Sequence, residues 1–179
     1  MLLTILIIFL LACLIATVFA LNAMLQTLRT GLPFVSTPRW AVIWLKENLQ
    51  LKPSDVVYEL GSGSAMVMAV LARRHPDTKF VGMEIQWWPH LLAKWRCRKL
   101  KNVVLVRGDV FRHNLSPATT VYGFYITNFM ARLEKYLDEQ LRPGTTVVSY
   151  GFNFPNWKIV EEITNPAKPR GSKILIYRR

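Results

Sequence analysis

Hydrophobic and polar positions divide the chain into a continuous apolar start and an alternating remainder. Leu2 to Leu21 is apolar apart from Thr4, Cys13 and Thr17. Twenty helical residues rise about 30 Å, enough to cross the hydrocarbon core of a bilayer. No basic residue precedes this run and it exceeds the apolar core of a signal peptide, so a retained anchor over residues 1–22 is expected. Residues 23–50 read as a juxtamembrane linker broken at Gly31, Pro33 and Pro38, followed by a lead-in helix. Thr37-Pro38 has the form of an N-cap with proline at the first helical position, and Trp40 to Leu49 supplies the helix.

From Asp55 onward, short β-branched and aromatic runs alternate with longer amphipathic ones. Strands are expected at Asp55–Leu60, Lys79–Glu84, Val103–Val106, Thr120–Thr127 and Thr145–Phe152, and helices at Ala65–Arg74, Pro89–Lys99 and Phe129–Leu141. A final pair, Lys158–Ile163 and Lys173–Tyr177, is joined by a Pro/Gly/Lys turn and reads as an antiparallel hairpin. The expected fold class is therefore α/β: a mostly parallel Rossmann-like sheet over residues 51–179, with a C-terminal hairpin and one preceding membrane helix.

The run Val56 to Leu60 ends on an acid and leads into Gly61-Ser62-Gly63 and an apolar helix. Strand, tight turn and helix together aim backbone amides and a helix N-terminus at a ligand. A dinucleotide fingerprint requires a third glycine where this chain has Met66, which argues against a nicotinamide cofactor. Three acids lie at strand ends: Glu59 on the first, Glu84 on the second and Asp109 after the third. Ligands of open α/β sheets bind beyond the carboxyl ends of the strands. There Glu84 can accept both hydroxyls of a ribose, and Asp109 can accept from the exocyclic amine of adenine.

Charge adds one fact and composition another. The net charge is +12, and no residue from Met1 to Leu28 is charged, so the imbalance belongs to the rest of the chain and suits anionic partners. Arg29, Arg39 and Lys46 follow the apolar run, which puts the C-terminal part on the cytoplasmic side of a single-pass protein. Lys94 to Lys101 holds five cations and no acid, and suits an anionic lipid surface. Cys13 and Cys97 have neither partner nor metal-like spacing, so no metal site is expected. His75, His90 and His113 are scattered and read as surface residues.

These residues resemble class I S-adenosylmethionine-dependent methyltransferases. The resemblance rests on Glu59-Leu60-Gly61-Ser62-Gly63, on Glu84, on Gly108-Asp109-Val110 and on Leu141-Arg142-Pro143-Gly144. It implies S-adenosylmethionine as cofactor, held by Glu59, Gly61, Ser62, Gly63, Ala65, Glu84, Ile85, Asp109 and Val110. A narrower resemblance runs from Pro33-Phe34-Val35 through Asn128 to Lys135 and Phe152 to Trp157. These stretches are similar to the membrane-anchored protein lysine methyltransferases that act on the ATP synthase c-subunit or the adenine nucleotide translocase, and to their prokaryotic relatives. The family's loop usually continues Asp-Gly-Arg, where this chain has Ser64-Ala65-Met66. The family's asparagine-proline pair after the ribose acid is replaced by Gln86-Trp87. Thr127 and Asn128 stand where proline and glutamine are usual.

The implied chemistry is in-line displacement on an activated donor, so the protein supplies position and protonation state. A lysine amine attacks only when neutral, and apolar surroundings favour that form. Phe34, Trp88, Phe152, Phe154 and Trp157 are the expected wall around it, able to hold an amine by cation–π contact. Asn128 is the expected amine-orienting carbonyl, with Tyr125 and Thr127 as further candidates. A membrane protein is the expected substrate and no nucleic acid partner is expected. The alternatives are methylation of a lipid or small amphiphile, RNA methylation, and a non-catalytic membrane protein with a degenerate loop.

Overall fold

A computed structural model describes residues 1–30, 36–124 and 127–179, and only the backbone of residues 23, 26, 27, 29, 30, 127 and 128. It separates into two units, Met1–Phe34 and Val35–Arg179. The first contains helix α1, Leu2–Thr30. Its portion Leu2–Asn22 is long and apolar enough to cross a membrane, with a mean hydropathy of 3.1. The helix runs eight residues beyond the point where the sequence predicted a connection. No glycine or proline occurs before Gly31, so nothing stops it at Asn22.

The second unit is built on a seven-stranded sheet. Its strands are β1 Val56–Leu60, β2 Lys79–Glu84, β3 Val103–Arg107, β4 Thr120–Phe124, β5 Thr146–Tyr150, β6 Glu161–Ile163 and β7 Ile174–Arg178. The spatial order is β3-β2-β1-β4-β5-β7-β6. β1 to β5 pair in parallel, and β7 runs antiparallel between β5 and β6. Strand order reverses at β1 and β4, so the crevice beyond their carboxyl ends is the topological switch point at which such sheets bind ligands. The loop after β1 opens there.

Alternating side chains feed two cores, one on each face of the sheet. Val57, Tyr122, Val148 and Ile174 point to the face covered by α2 (Arg39–Asn48), α3 (Met66–Arg74) and α4 (Trp87–Cys97). Leu60, Val121, Val147 and Leu175 point the other way, onto Met130, Leu133 and Leu137 of α5 (Thr127–Gln140).

Several boundaries differ from the sequence reading. β4 is described over Thr120–Phe124, with Phe124 opposite Tyr150 of β5, and α5 has begun by Thr127. Thr127 and Asn128 therefore lie in the first turn of α5 rather than on a strand end, because Met130, Leu133 and Leu137 reach the sheet together only as one helical face. α4 begins at Trp87, since Pro89 then falls in the first turn, where its missing N–H costs nothing. The N-cap of α2 is Pro38, and the Thr37 hydroxyl makes no cap. It shares a 2.7 Å hydrogen bond with the buried Tyr122 hydroxyl, which needs a partner inside the core. His90 is buried rather than superficial, and burial pushes its pKa down, with Lys94 and Arg107 adding to the effect.

Candidate active site

The loop after β1 is shaped by three left-handed residues at alternate positions: Gly61 (φ 74°), Gly63 (φ 53°) and Ala65 (φ 54°). The amides of Gly61 and Ser62 both donate to the Met83 carbonyl, at 2.9 and 2.8 Å, which pins the turn to the end of β2. Ala65 is the one non-glycine residue with positive φ among the described residues, and it precedes α3 as its N-cap. Glycine suits such a position because it carries no Cβ to clash with the following carbonyl.

Glu84 closes the loop from below. Its Oε2 accepts from the Gly63 amide at 2.8 Å and its Oε1 from the Gln86 amide at 2.7 Å. Burial raises its pKa, while these amides and that of Ile85 oppose the rise. An ionised carboxylate offers about four lone-pair sites, so two remain for a pair of hydroxyls. Glu59 lies deeper, pointing to the α3 side, where its Oε2 accepts from the Met68 amide at 3.2 Å. Burial pushes its pKa up to about 8; the Met68 amide opposes this and the Glu84 carboxylate adds to it. Asp109 is half-buried and its Oδ1 accepts from the Phe111 amide at 3.1 Å, capping a short 3₁₀ turn, Val110–Arg112. Val110 packs on the second core, and Ile85 keeps a half-exposed apolar surface beside Glu84.

An adenosyl group fits these residues on two structural grounds. A Cβ built on Gly61 would meet nothing within 4 Å, so the turn faces open space. The Ser62 hydroxyl is buried and has no hydrogen-bond partner among the described residues, a cost that a polar ligand would remove.

The structure does not bring all the expected substrate residues together. Phe34 and Tyr125 lie outside the described residues, and of Thr127 and Asn128 only the backbone is described. Trp88 is half-buried in the first turn of α4. Phe154 is only 3% exposed, and its ring packs on Trp157 (centroids 4.5 Å apart) and Tyr177 (5.1 Å). In this arrangement Phe154 holds its segment in place, and Trp157 packs on it while remaining half-buried. Phe152 packs partly against the same core.

Four structural features around the candidate site were not legible in the sequence. Arg96 of α4 donates from Nη1 to the Ser64 carbonyl and, at 2.5 Å, to the Ser64 hydroxyl, bracing the cofactor loop from outside. Glu134 of α5 is buried and accepts from the Asn156 amide (3.0 Å) and from Asn156 Nδ2 (2.7 Å). It thereby ties the Phe152–Trp157 segment to α5 and explains why the two stretches occur together. Third, Phe124 and Tyr150 stack edge-on at the carboxyl ends of β4 and β5 (5.0 Å), with Trp40 against Tyr150 (6.0 Å). Finally, the Thr37–Tyr122 hydrogen bond fastens the segment leading into α2 to β4, beside Glu59 in the sheet register. All four join elements distant in the chain, and the alternating strand positions of the aromatic cluster gave only a core signal.

Comparison with known proteins decides among the α/β possibilities. The model of the ANTKMT methyltransferase domain matches residues 59–161. The chain belongs to that family. It is a class I S-adenosylmethionine-dependent methyltransferase. It is 32% identical over 136 residues to a protein-lysine N-methyltransferase of Saccharolobus islandicus, covering 73% of this chain and 83% of that one. It is 27% identical over 129 residues to the ATP synthase c-subunit lysine N-methyltransferase of Rattus norvegicus, covering 70% of this chain and 58% of that protein. Among solved structures it resembles an RNA methyltransferase from Salinibacter ruber in complex with S-adenosyl-L-homocysteine. That match has a TM-score of 0.73 and 28% identity, and covers 80% of this chain and 93% of the other.

Proposed function

We propose that this methyltransferase acts on a lysine amine of a membrane protein, and that α1 anchors it in the bilayer with the catalytic unit on the cytoplasmic side. The observation that carries the lysine reading is the similarity to a protein-lysine N-methyltransferase over 83% of that protein's length. The anchor reading rests on the apolar stretch Leu2–Asn22 and on the cations that follow it.

When bound, S-adenosylmethionine supplies a methyl group on a positively charged sulfur. Every other task falls to the chain. Glu84 would take the ribose hydroxyls with its two remaining lone-pair sites, and Asp109, Val110 and Ile85 would hold the adenine. Gly61, Ser62, Gly63 and Ala65 present backbone and the Ser62 hydroxyl to the rest of the cofactor. Glu59 works indirectly, by fixing the start of α3. An incoming amine must lose its proton to water before it can attack. The aromatic set Phe124, Tyr150 and Trp40, with Trp88 and Phe152, supplies an apolar approach that favours the neutral form. Asn128, in the first turn of α5, is our choice for the carbonyl that orients the amine.

The test is transfer of labelled methyl groups by the full-length protein to membranes, with mass spectrometry of the products. Label on lysine of a membrane protein is expected; label confined to lipid would sink the reading. The Salinibacter ruber similarity and the net charge of +12 favour RNA as the second reading. Label recovered in RNA would establish that one instead. Glu84→Gln should weaken cofactor binding at least tenfold, an effect of about 1.4 kcal/mol, as expected for losing a charge-assisted hydrogen bond. Glutamine is the milder replacement, because it keeps one acceptor and strands one of the Gly63 and Gln86 amides, whereas Glu84→Ala strands both. Unchanged affinity by calorimetry would remove Glu84 from the ribose site.

A further inference from the structure

Helix α4 is built inside out. Its buried face is made of Pro89, His90, Ala93 and Cys97, all small or polar, while its large apolar side chains face outward. Trp95 is 65% exposed, Leu91 53%, Leu92 45% and Trp87 39%. At 100° per residue, Trp87, Leu91 and Trp95 form one stripe (i, i+4, i+8), with Leu92 along its edge. Lys94 falls beside that stripe, and the C-cap Arg98 and then Lys99 follow at its C-terminal end. The Arg98 guanidinium lies over the Trp95 ring at 4.7 Å. No acid occurs between Ile85 and Gly108.

We infer that this outward face of α4 is a second membrane-attachment surface, which lays Trp87, Leu91, Leu92 and Trp95 into the interfacial layer of an anionic bilayer. An exposed apolar stripe flanked by cations is the pattern of helices that lie in the membrane plane. Tryptophan favours the headgroup level, and long cationic side chains can reach from an apolar surface to phosphate. The one-sided charge matches a negative lipid surface. α4 starts three residues after Glu84, so docking would place the lipid surface beside the rim of the cofactor crevice. The inference rests on the reading of α1 as an anchor, and it is independent of the reaction.

The test uses the full chain with Cys13→Ala and Leu91→Cys, labelled at position 91 with an environment-sensitive fluorophore. Single copies are placed in nanodiscs of phosphatidylcholine alone or with phosphatidylglycerol. The expected result is a blue-shifted, brighter label in the anionic discs. Lys94→Gln, Arg98→Gln and Lys99→Gln should each lower the docking equilibrium about fivefold, and together roughly 100-fold. A label that stays water-like in both discs overturns the proposal, as does a blue shift that the triple variant leaves unchanged. Calorimetry with S-adenosylmethionine on the same discs separates the readings. Cofactor binding without docking rejects the surface alone, and docking without cofactor binding rejects the cofactor-site assignment alone. Protein that never enters the discs rejects the anchor.

Discussion

Glu59→Gln is expected to stabilise the protein above neutral pH and to remove the share of its loss of stability between pH 4.5 and 8 that Glu59 causes, leaving that of Glu84. Glu59 is 6% exposed. Burial lifts its pKa from 4.5 to about 8 in the folded chain, against the Met68 amide and with help from Glu84. The folded protein thus keeps a proton that the unfolded chain gives up above pH 4.5. The stability it contributes is complete below that value and is lost as pH rises towards 8. At about 1.4 kcal/mol per tenfold change, the ceiling is roughly 5 kcal/mol. Local relaxation and the high effective dielectric of real interiors bring the expected effect down to about 2 kcal/mol. That is still a large share of the roughly 5–15 kcal/mol that holds a domain together. Glutamine keeps an oxygen for the Met68 amide and carries no charge. The assay is thermal melting of the full-length protein in nonionic micelles at pH 5, 6.5 and 8, followed by tryptophan fluorescence. The variant should gain about 6 °C on the parent between pH 5 and 8. His75 and His90, whose pKa values burial lowers, contribute a slope of opposite sign in both proteins and cancel in the difference. Parallel pH profiles for the two proteins would refute the argument.

Ala65 pays for its left-handed backbone with about 1 kcal/mol of strain, yet its methyl is fully buried. Ala65→Gly trades that relief against about 0.8 kcal/mol of lost burial, and its melting temperature should barely move. Ala65→Val should lose roughly 2 kcal/mol or more, because a β-branched side chain at positive φ in a closed space adds strain and overpacking. Arg96→Gln should release Ser64 and weaken cofactor binding severalfold by calorimetry, at a stability cost of about 1–2 kcal/mol. Glu134→Ala removes both hydrogen bonds that tie Asn156 to α5 and should cost about 1–2 kcal/mol, since water can reach the exposed Asn156, with proteolysis of the full-length protein newly directed to residues 152–157.

Where an element was set by local pattern, the sequence carried it. The order of strands and helices, the final hairpin and the loop glycines follow from periodicity and turn chemistry within a few residues of each other. The places of Glu59, Glu84 and Asp109 at strand ends were legible because the strands themselves were. Their hydrogen-bond partners were not, since these depend on which amides lie opposite: Gly63 and Gln86 for Glu84, Met68 for Glu59. Contacts across long separations were also invisible, as with Arg96 to Ser64, or Thr37 to Tyr122, 85 residues apart.

Helix α4 shows why the limit is physical. A periodicity reading assigns the large apolar residues of a helix to the core, and on α4 that rule names Leu91, Leu92 and Trp95. Packing selects the opposite face. Helix α4 covers β2 and β3 through Ala93 and Cys97, side chains small enough to let it lie close to the sheet. Because the buried face carries only small or polar side chains, the hydrophobic pattern alone points to the wrong one. The bulky set is left for a partner outside the fold, and the cations beside it limit that partner to a negatively charged one.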